Sequence, residues 1–167
     1  GESMILKQTY PMMKKYIAYL TKCLKNNVLS DYAQMGEWGE ITEKTPTVLV
    51  ATCSYYRMLC ILTEISEILG IEKDKREYKK QAEKTKQAFF EHKQCYDKET
   101  GIYGSDSEAS YGCVLFSNLV PEEKKQIVVE QLVEAVKRNH YHLSSGEVGL
   151  KQVFVSLAEN GRNDIVY

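Results

Sequence analysis

Residues 45–70 read TPTVLVATCSYYRMLCILTEISEILG. Val48, Ala51, Tyr55, Met58, Leu62, Ile65 and Leu69 recur every three or four residues, the period of one helix face. Leu49, Cys53, Tyr56, Leu59 and Ile61 widen that stripe, and a helix this apolar is buried on more than one side. Thr45 can serve as the N-cap and Pro46 as the first helical residue, where a missing N–H costs nothing. Gly70 supplies the stop.

The next helical pattern, Asp74 to His92, is different in kind. Tyr78, Ala82, Thr85 and Phe89 make a narrow stripe and the other faces carry Lys, Glu and Gln, so this helix lies outside. The alternation continues. A loop from Gln94 to Ser107 holds the turn signals Asp97 to Gly101 and Tyr103-Gly104. A short apolar helix follows, about Glu108 to Asn118. Pro121 then opens an external helix with Val128, Leu132 and Val136 four apart. The loop Asn139–Ser145 leads through Gly146-Glu147-Val148-Gly149 to a last helix holding Val153, Phe154 and Leu157. Asn160-Gly161 ends it, and residues 163–167 begin another. Upstream, Tyr10, Met13, Ile17, Leu20 and Leu24 predict a helix over 10–24 with Pro11 in its first turn. Met4–Lys7 is the stub of that helix or of an earlier one. The connection Asn26–Lys44 is long for a compact domain, and loops of that length are often functional.

No segment shows sustained period-two alternation, so the fold class is all-α. Inner and outer helices alternating along one chain build either an α/α solenoid or a closed α/α barrel. No strict repeat of about 34 to 40 residues is present. The Gly-rich loops fall before the apolar helices, which favours the barrel, with those loops forming the rim of a site.

Composition bounds the function. The 167 residues fit one domain, and 43% hydrophobic with 27% charged residues is ordinary for a globular protein. Lys plus Arg (22) nearly balances Asp plus Glu (23), leaving a net charge of −1 and no footprint for nucleic acid or an anionic membrane. The longest uninterrupted apolar runs are far shorter than the roughly 20 residues of a membrane span, and no signal peptide is visible. Five cysteines without a C-x-x-C pair sit among apolar residues and read as buried free thiols, which suit a cytoplasmic setting. Twelve tyrosines stand against one tryptophan. Tyrosine-rich clefts bind sugars and other polar ligands, and tyrosine also packs in helical cores.

Specific residues add a family. Gly36-Glu37-Trp38-Gly39, Thr45-Pro46, Ala51-Thr52 and Tyr55-Tyr56 resemble the Gly-Asp-Trp … Thr-Pro … Ala-Thr … Tyr-Tyr block of the bacterial α-L-rhamnosidases of glycoside hydrolase family 78. Ala82-Glu83-Lys84 through Phe89, Tyr96-Asp97, Thr100-Gly101 and Asn118 to Glu123 are also similar. So are His142-Leu143-Ser144-Ser145-Gly146 with Gly149, and Glu159-Asn160-Gly161-Arg162. The resemblance covers nearly the whole chain in order. It implies an α/α toroid, with these residues as one part of an (α/α)6 catalytic barrel. It also implies hydrolysis of terminal α-L-rhamnosides with inversion, a chemistry that needs two carboxyl groups and no metal or organic cofactor. The family's acid lies in an Asp-Glu-Arg-x-Gly-Trp type motif upstream and its base in a Trp-Glu motif downstream. Neither occurs in this sequence, so the expectation is an inactive piece with no catalytic residue of its own.

The resemblance assigns Trp38 to the sugar site, where an indole face can cover the C–H face and methyl group of rhamnose. Glu37 stands where relatives carry Asp, Glu108 where they carry Gln, and Glu147 where many carry an apolar residue. The substrate-binding residues expected here are Trp38, Glu37 and Glu147. Against this stand plainer readings: Trp38 as loop packing, Glu37 and Glu40 as solvated loop charges, and Glu147 as an acid favoured by a helix N-terminus. His140 and His142 have no acidic partner at ligand spacing and read as surface residues, so no metal site is expected. Two other functions remain open, a helical repeat-like module that binds a protein and a different α/α-barrel carbohydrate enzyme. A partial barrel would expose apolar helix faces and dimerise through them.

Overall fold

The computed structural model describes residues 2–31, 36–142 and 144–166. Its helices are α1 (Glu2–Lys22), α2 (Thr47–Ile68), α3 (Glu72–Glu91), α4 (Glu108–Phe116), α5 (Lys125–Arg138), α6 (Glu147–Glu159) and α7 (Asn163–Val166), with a 3₁₀ turn at Glu122–Lys124. Among the described residues no strand forms, and two isolated bridges, Lys25 with Val28 and Tyr96 with Tyr103, close tight loops. Leu143 and Tyr167, both in segments singled out from the sequence, lie outside the described residues.

The helices alternate as the apolar patterns predict. Val48 to Cys53, Tyr55, Leu59, Leu62 and Ile65 of α2 are buried, and α2 packs on α1, α3 and α4. The helix α3 touches α2 through Tyr78, Ala82, Thr85 and Phe89. Eight of the nine residues of α4 are buried, and α4 lies between α2, α5 and α6. Two apolar clusters result. One joins α1, α2 and α3; the other joins α2, α4, α5 and α6, and Tyr56 packs against both. Each fully buried Leu or Val here contributes roughly 1.5–3 kcal/mol. By length and composition α2 is apolar enough to cross a membrane, but in this fold its apolar residues form the core of both clusters.

Two helix starts differ from expectation. Pro11 lies midway along α1, because the helix begins at Glu2 and takes in the Met4–Lys7 segment. The lost amide is tolerated because Tyr10, Ile17 and Leu20 anchor the helix on both sides of it. Thr45 is not the cap of α2, which starts at Thr47 with Pro46 in the cap position. Its hydroxyl is taken instead by Glu40 and by Ser107, whose Oγ lies 2.7 Å away. At the other end Gly70 stops the helix as expected, with φ of 70° and the Ile71 amide bonded back to the Ser66 carbonyl at 2.8 Å.

A buried polar knot pins the three N-terminal helices. The Tyr10 hydroxyl donates to Asp74 at 2.8 Å and lies 2.8 Å from Ser66 Oγ, while Lys14 reaches the same Asp74 oxygen at 2.6 Å. The lysine bond holds the Asp74 carboxyl below its usual range against the opposing effect of burial.

Connections at the two ends of the helices are unequal. At one end α2 meets α3 through residues 69–71. At the other, the longer loops 23–46, 92–107 and 139–146 lead from the outer helices into α2, α4 and α6. These loops meet: Thr45 bonds Ser107, the Ile41 amide donates to the Ser144 carbonyl at 3.1 Å, and Asn139 donates to Glu108 at 2.9 Å. Through these bonds their described residues join into one rim over the N-termini of the inner helices.

Candidate functional site

The rim is built around the N-terminus of α6. Gly146 occupies its cap position and offers no side chain to the free amides of the first turn. The loop 36–41 supplies the acceptors. Both oxygens of Glu37 lie 2.7 Å from the Gly149 amide, and the Trp38 carbonyl accepts from the Glu147 amide at 2.8 Å. The fit is close. A Cβ on Gly146 would stand 2.1 Å from the Trp38 carbonyl oxygen, and one on Gly149 2.7 Å from Glu37 Oε1. Only glycine admits this backbone approach.

These contacts separate the three residues assigned to the substrate. Trp38 is 56% exposed, its backbone fixed and its indole projecting from the rim. Glu147, the first residue of α6, is exposed beside it. Glu37 is buried, at 6% exposure, with its carboxylate turned to the helix rather than to solvent. Burial pushes the Glu37 carboxyl above its usual range; the Gly149 amide opposes this, and the nearby Glu40 adds to it.

Glu40 is not a solvated charge either. Its carboxylate accepts the Thr45 amide at 2.8 and 2.9 Å, which holds the chain leading into α2. Glu108 is fully buried at the start of α4. It accepts from Asn139 Nδ2 at 2.9 Å, the Ser144 amide at 3.2 Å and Ser145 Oγ at 3.1 Å, tying the loop before α6 to α4. Arg138 pairs with Asp106 at 2.9 Å and lies 3.7 Å from Glu43. Burial raises the Glu43 carboxyl, with Arg138 opposing. Sequence reasoning noted Glu108 only as a departure from its relatives. The signal for its structural role was present: one carboxylate in an otherwise apolar nine-residue helix must be buried with partners.

His140 and His142 are exposed, and the described residues hold no cluster of three or more His, Cys, Asp or Glu able to bind a metal. The five cysteines are free, three of them buried. Burial pushes the Cys95 thiol up to about 12, which removes it as a nucleophile near neutral pH. On the face formed by α2, α4 and α6, Arg57 stacks 4.0 Å from the Phe116 ring centre and donates to the Phe116 carbonyl. It borders a groove of about 170 Å³ with Ser54, Ile61 and Gln152.

Known proteins resemble this chain in sequence and fold. The chain is 24% identical over its full length to an α-L-rhamnosidase of Streptomyces avermitilis, of which it spans 16%. The crystal structure of the Streptomyces avermitilis α-L-rhamnosidase complexed with L-rhamnose superposes with a TM-score of 0.85 at 23% identity, covering 98% of this chain and 15% of that one. The α-L-rhamnosidase structure from Dictyoglumus thermophilum gives 0.83 at 29% identity, covering 99% and 19%. The chain thus spans less than a fifth of these relatives. The family model described as the bacterial alpha-L-rhamnosidase 6 hairpin glycosidase domain matches residues 1–167. With inner and outer helices alternating beneath a loop-built rim, this chain belongs to the bacterial alpha-L-rhamnosidase 6 hairpin glycosidase domain family.

Proposed function

We propose that these 167 residues form one domain that is part of the catalytic barrel of a glycoside hydrolase. That enzyme removes terminal α-L-rhamnosyl units with inversion, and this chain supplies one sector of its sugar-binding rim. The observation carrying the reading is the 56% exposed indole of Trp38 on a rim loop tied to the loop before α6 and to its first turn by the Glu37 carboxylate, the Trp38 carbonyl and the Ile41 amide. An indole held in the open by its backbone suits the apolar face of a deoxy sugar. Glu147, whose amide the Trp38 carbonyl holds, stands exposed at the start of α6 and is the carboxylate placed to accept sugar hydroxyls.

The chain by itself does no hydrolysis. An inverting pair needs one acid and one base on opposite faces of the sugar. Glu37, Glu40 and Glu108 each have their oxygens taken by amides or hydroxyls of the protein. The acid and base come from elsewhere in the barrel. Incubation with an aryl α-L-rhamnoside is expected to release no aryl alcohol above background, whereas L-rhamnose shifts the Trp38 emission and D-glucose does so far less. Turnover by the 167-residue chain, or emission indifferent to L-rhamnose, would defeat this reading.

Exposed apolar residues include Ile5 and Met12 of α1, at 60% and 66% exposure, and Ile61 of α2. Between the two helices runs an apolar groove of about 200 Å³ lined by Met13, Ile17, Met58 and Leu62. Patches of this kind favour self-association. The isolated chain is expected to dimerise through this face. Light scattering should give twice its 19.2 kDa, reverting to the single mass in Met12→Lys/Ile61→Lys. A monomer at high micromolar concentration would count against it.

A further inference from the structure

We infer that Glu37 is a positioning residue, which sets the direction of the Trp38 indole by clamping its loop to the first turn of α6. The inference rests on the reading of Trp38 as the sugar-facing group. It departs from the expectation that Glu37 itself touches the sugar.

The geometry carries it. An exposed side chain gains little orientation from its own packing, so its aim is set by its backbone. The backbone around Trp38 is anchored at three points. Glu37 holds the Gly149 amide, the Trp38 carbonyl holds the Glu147 amide, and the Ile41 amide holds the Ser144 carbonyl. Two of the three are backbone bonds that many side chains at 37 would permit. The third is the carboxylate, which does in trans what a capping Asp or Ser does in cis: it satisfies the amide at the third helical position, where the helix dipole favours negative charge. With 6% of the residue exposed and both oxygens on one amide, the carboxylate is placed to act on the loop rather than on a ligand in the rim. Glycine at 149 leaves the space that lets it approach.

Trp38 is the single tryptophan, so its fluorescence reports this loop alone. Two variants of the full chain separate the hydrogen bond from the space it fills. Glu37→Met keeps the length and volume without an acceptor; Glu37→Gln keeps an acceptor oxygen. In Glu37→Met, steady-state anisotropy is expected to fall, acrylamide quenching to rise about twofold, and L-rhamnose affinity to drop roughly tenfold. Glu37→Gln should restore all three to within about threefold of wild type. Deuterium exchange at the Gly149 amide of the wild type needs no variant and should be slow. Unchanged anisotropy and quenching in Glu37→Met would overturn the inference. So would a Gly149 amide that exchanges as fast as an unbonded one. Loss of rhamnose affinity in both variants with the indole's mobility unaltered would return Glu37 to the role of a direct sugar contact. A wild type that ignores L-rhamnose sinks the sugar reading separately, because anisotropy and exchange still decide the clamp.

Discussion

Gly112→Val is expected to lower the melting temperature by roughly 10 °C, corresponding to about 3 kcal/mol of lost stability in a chain of this size. Position 112 lies in the middle of α4, where glycine costs about 1 kcal/mol relative to alanine. It is there because α6 passes too close for anything larger. A Cβ would stand 2.8 Å from Val153 Cγ2, 3.0 Å from the Val153 nitrogen and 3.2 Å from its Cα. A side chain can rotate away, but the Val153 backbone is fixed within its own helix. The two helices must separate, opening contacts among Val114, Val153 and Leu157 in the larger core cluster. The Ser156 hydroxyl, which donates to the Gly112 carbonyl at 3.3 Å, would lose its partner as well. Differential scanning calorimetry checks this. A shift smaller than about 3 °C would mean that α4 and α6 accommodate the added side chain without separating.

Glu108→Ala should cost as much or more, roughly 3–5 kcal/mol, through a different mechanism. Truncation leaves the Ser144 amide and one Asn139 N–H buried without this acceptor and removes the tie between α4 and the loop before α6. Asn139 keeps Ser144 Oγ at 3.0 Å, so the loop is loosened rather than lost. Glu108→Gln should be much milder. It retains an acceptor oxygen for the Ser144 amide and the Ser145 hydroxyl, and the Asn139 side chain can flip so that its Oδ1 accepts from the new amide. Urea unfolding of the two variants gives the comparison. Equal losses for Ala and Gln would show that charge, and not acceptor count, holds the loop.

Most of the fold is legible in the sequence. The wide apolar face of 48–69 against the narrow one of 78–89 gives the inner and outer layers before any coordinate is known. Gly70 and Asn160-Gly161 mark ends correctly because a left-handed C-cap is a local property of the chain. The N-terminal ends are read less well. Thr45 has the right chemistry for a cap, yet its hydroxyl is captured by Ser107, 62 residues away. No local pattern foretells such a competitor. Pro11 is misplaced for a related reason: tertiary anchoring by Tyr10 and Ile17 outweighs the break that proline makes in an isolated helix.

The site divides along the same line. The family resemblance of the sequence singles out Trp38, and the structure leaves its indole exposed. The same resemblance assigns Glu37 to the substrate and gives Glu40 and Glu108 no structural partner, since charge and spacing carry no record of which amides lie across the fold. The tertiary structure distinguishes them by giving each its donors: the Gly149 amide, the Thr45 amide, and the trio from Asn139, Ser144 and Ser145. Periodicity is written into the chain because each helix face is a one-dimensional pattern. The destination of a buried charge is set only when distant segments meet, since water satisfies every carboxylate equally until folding removes it.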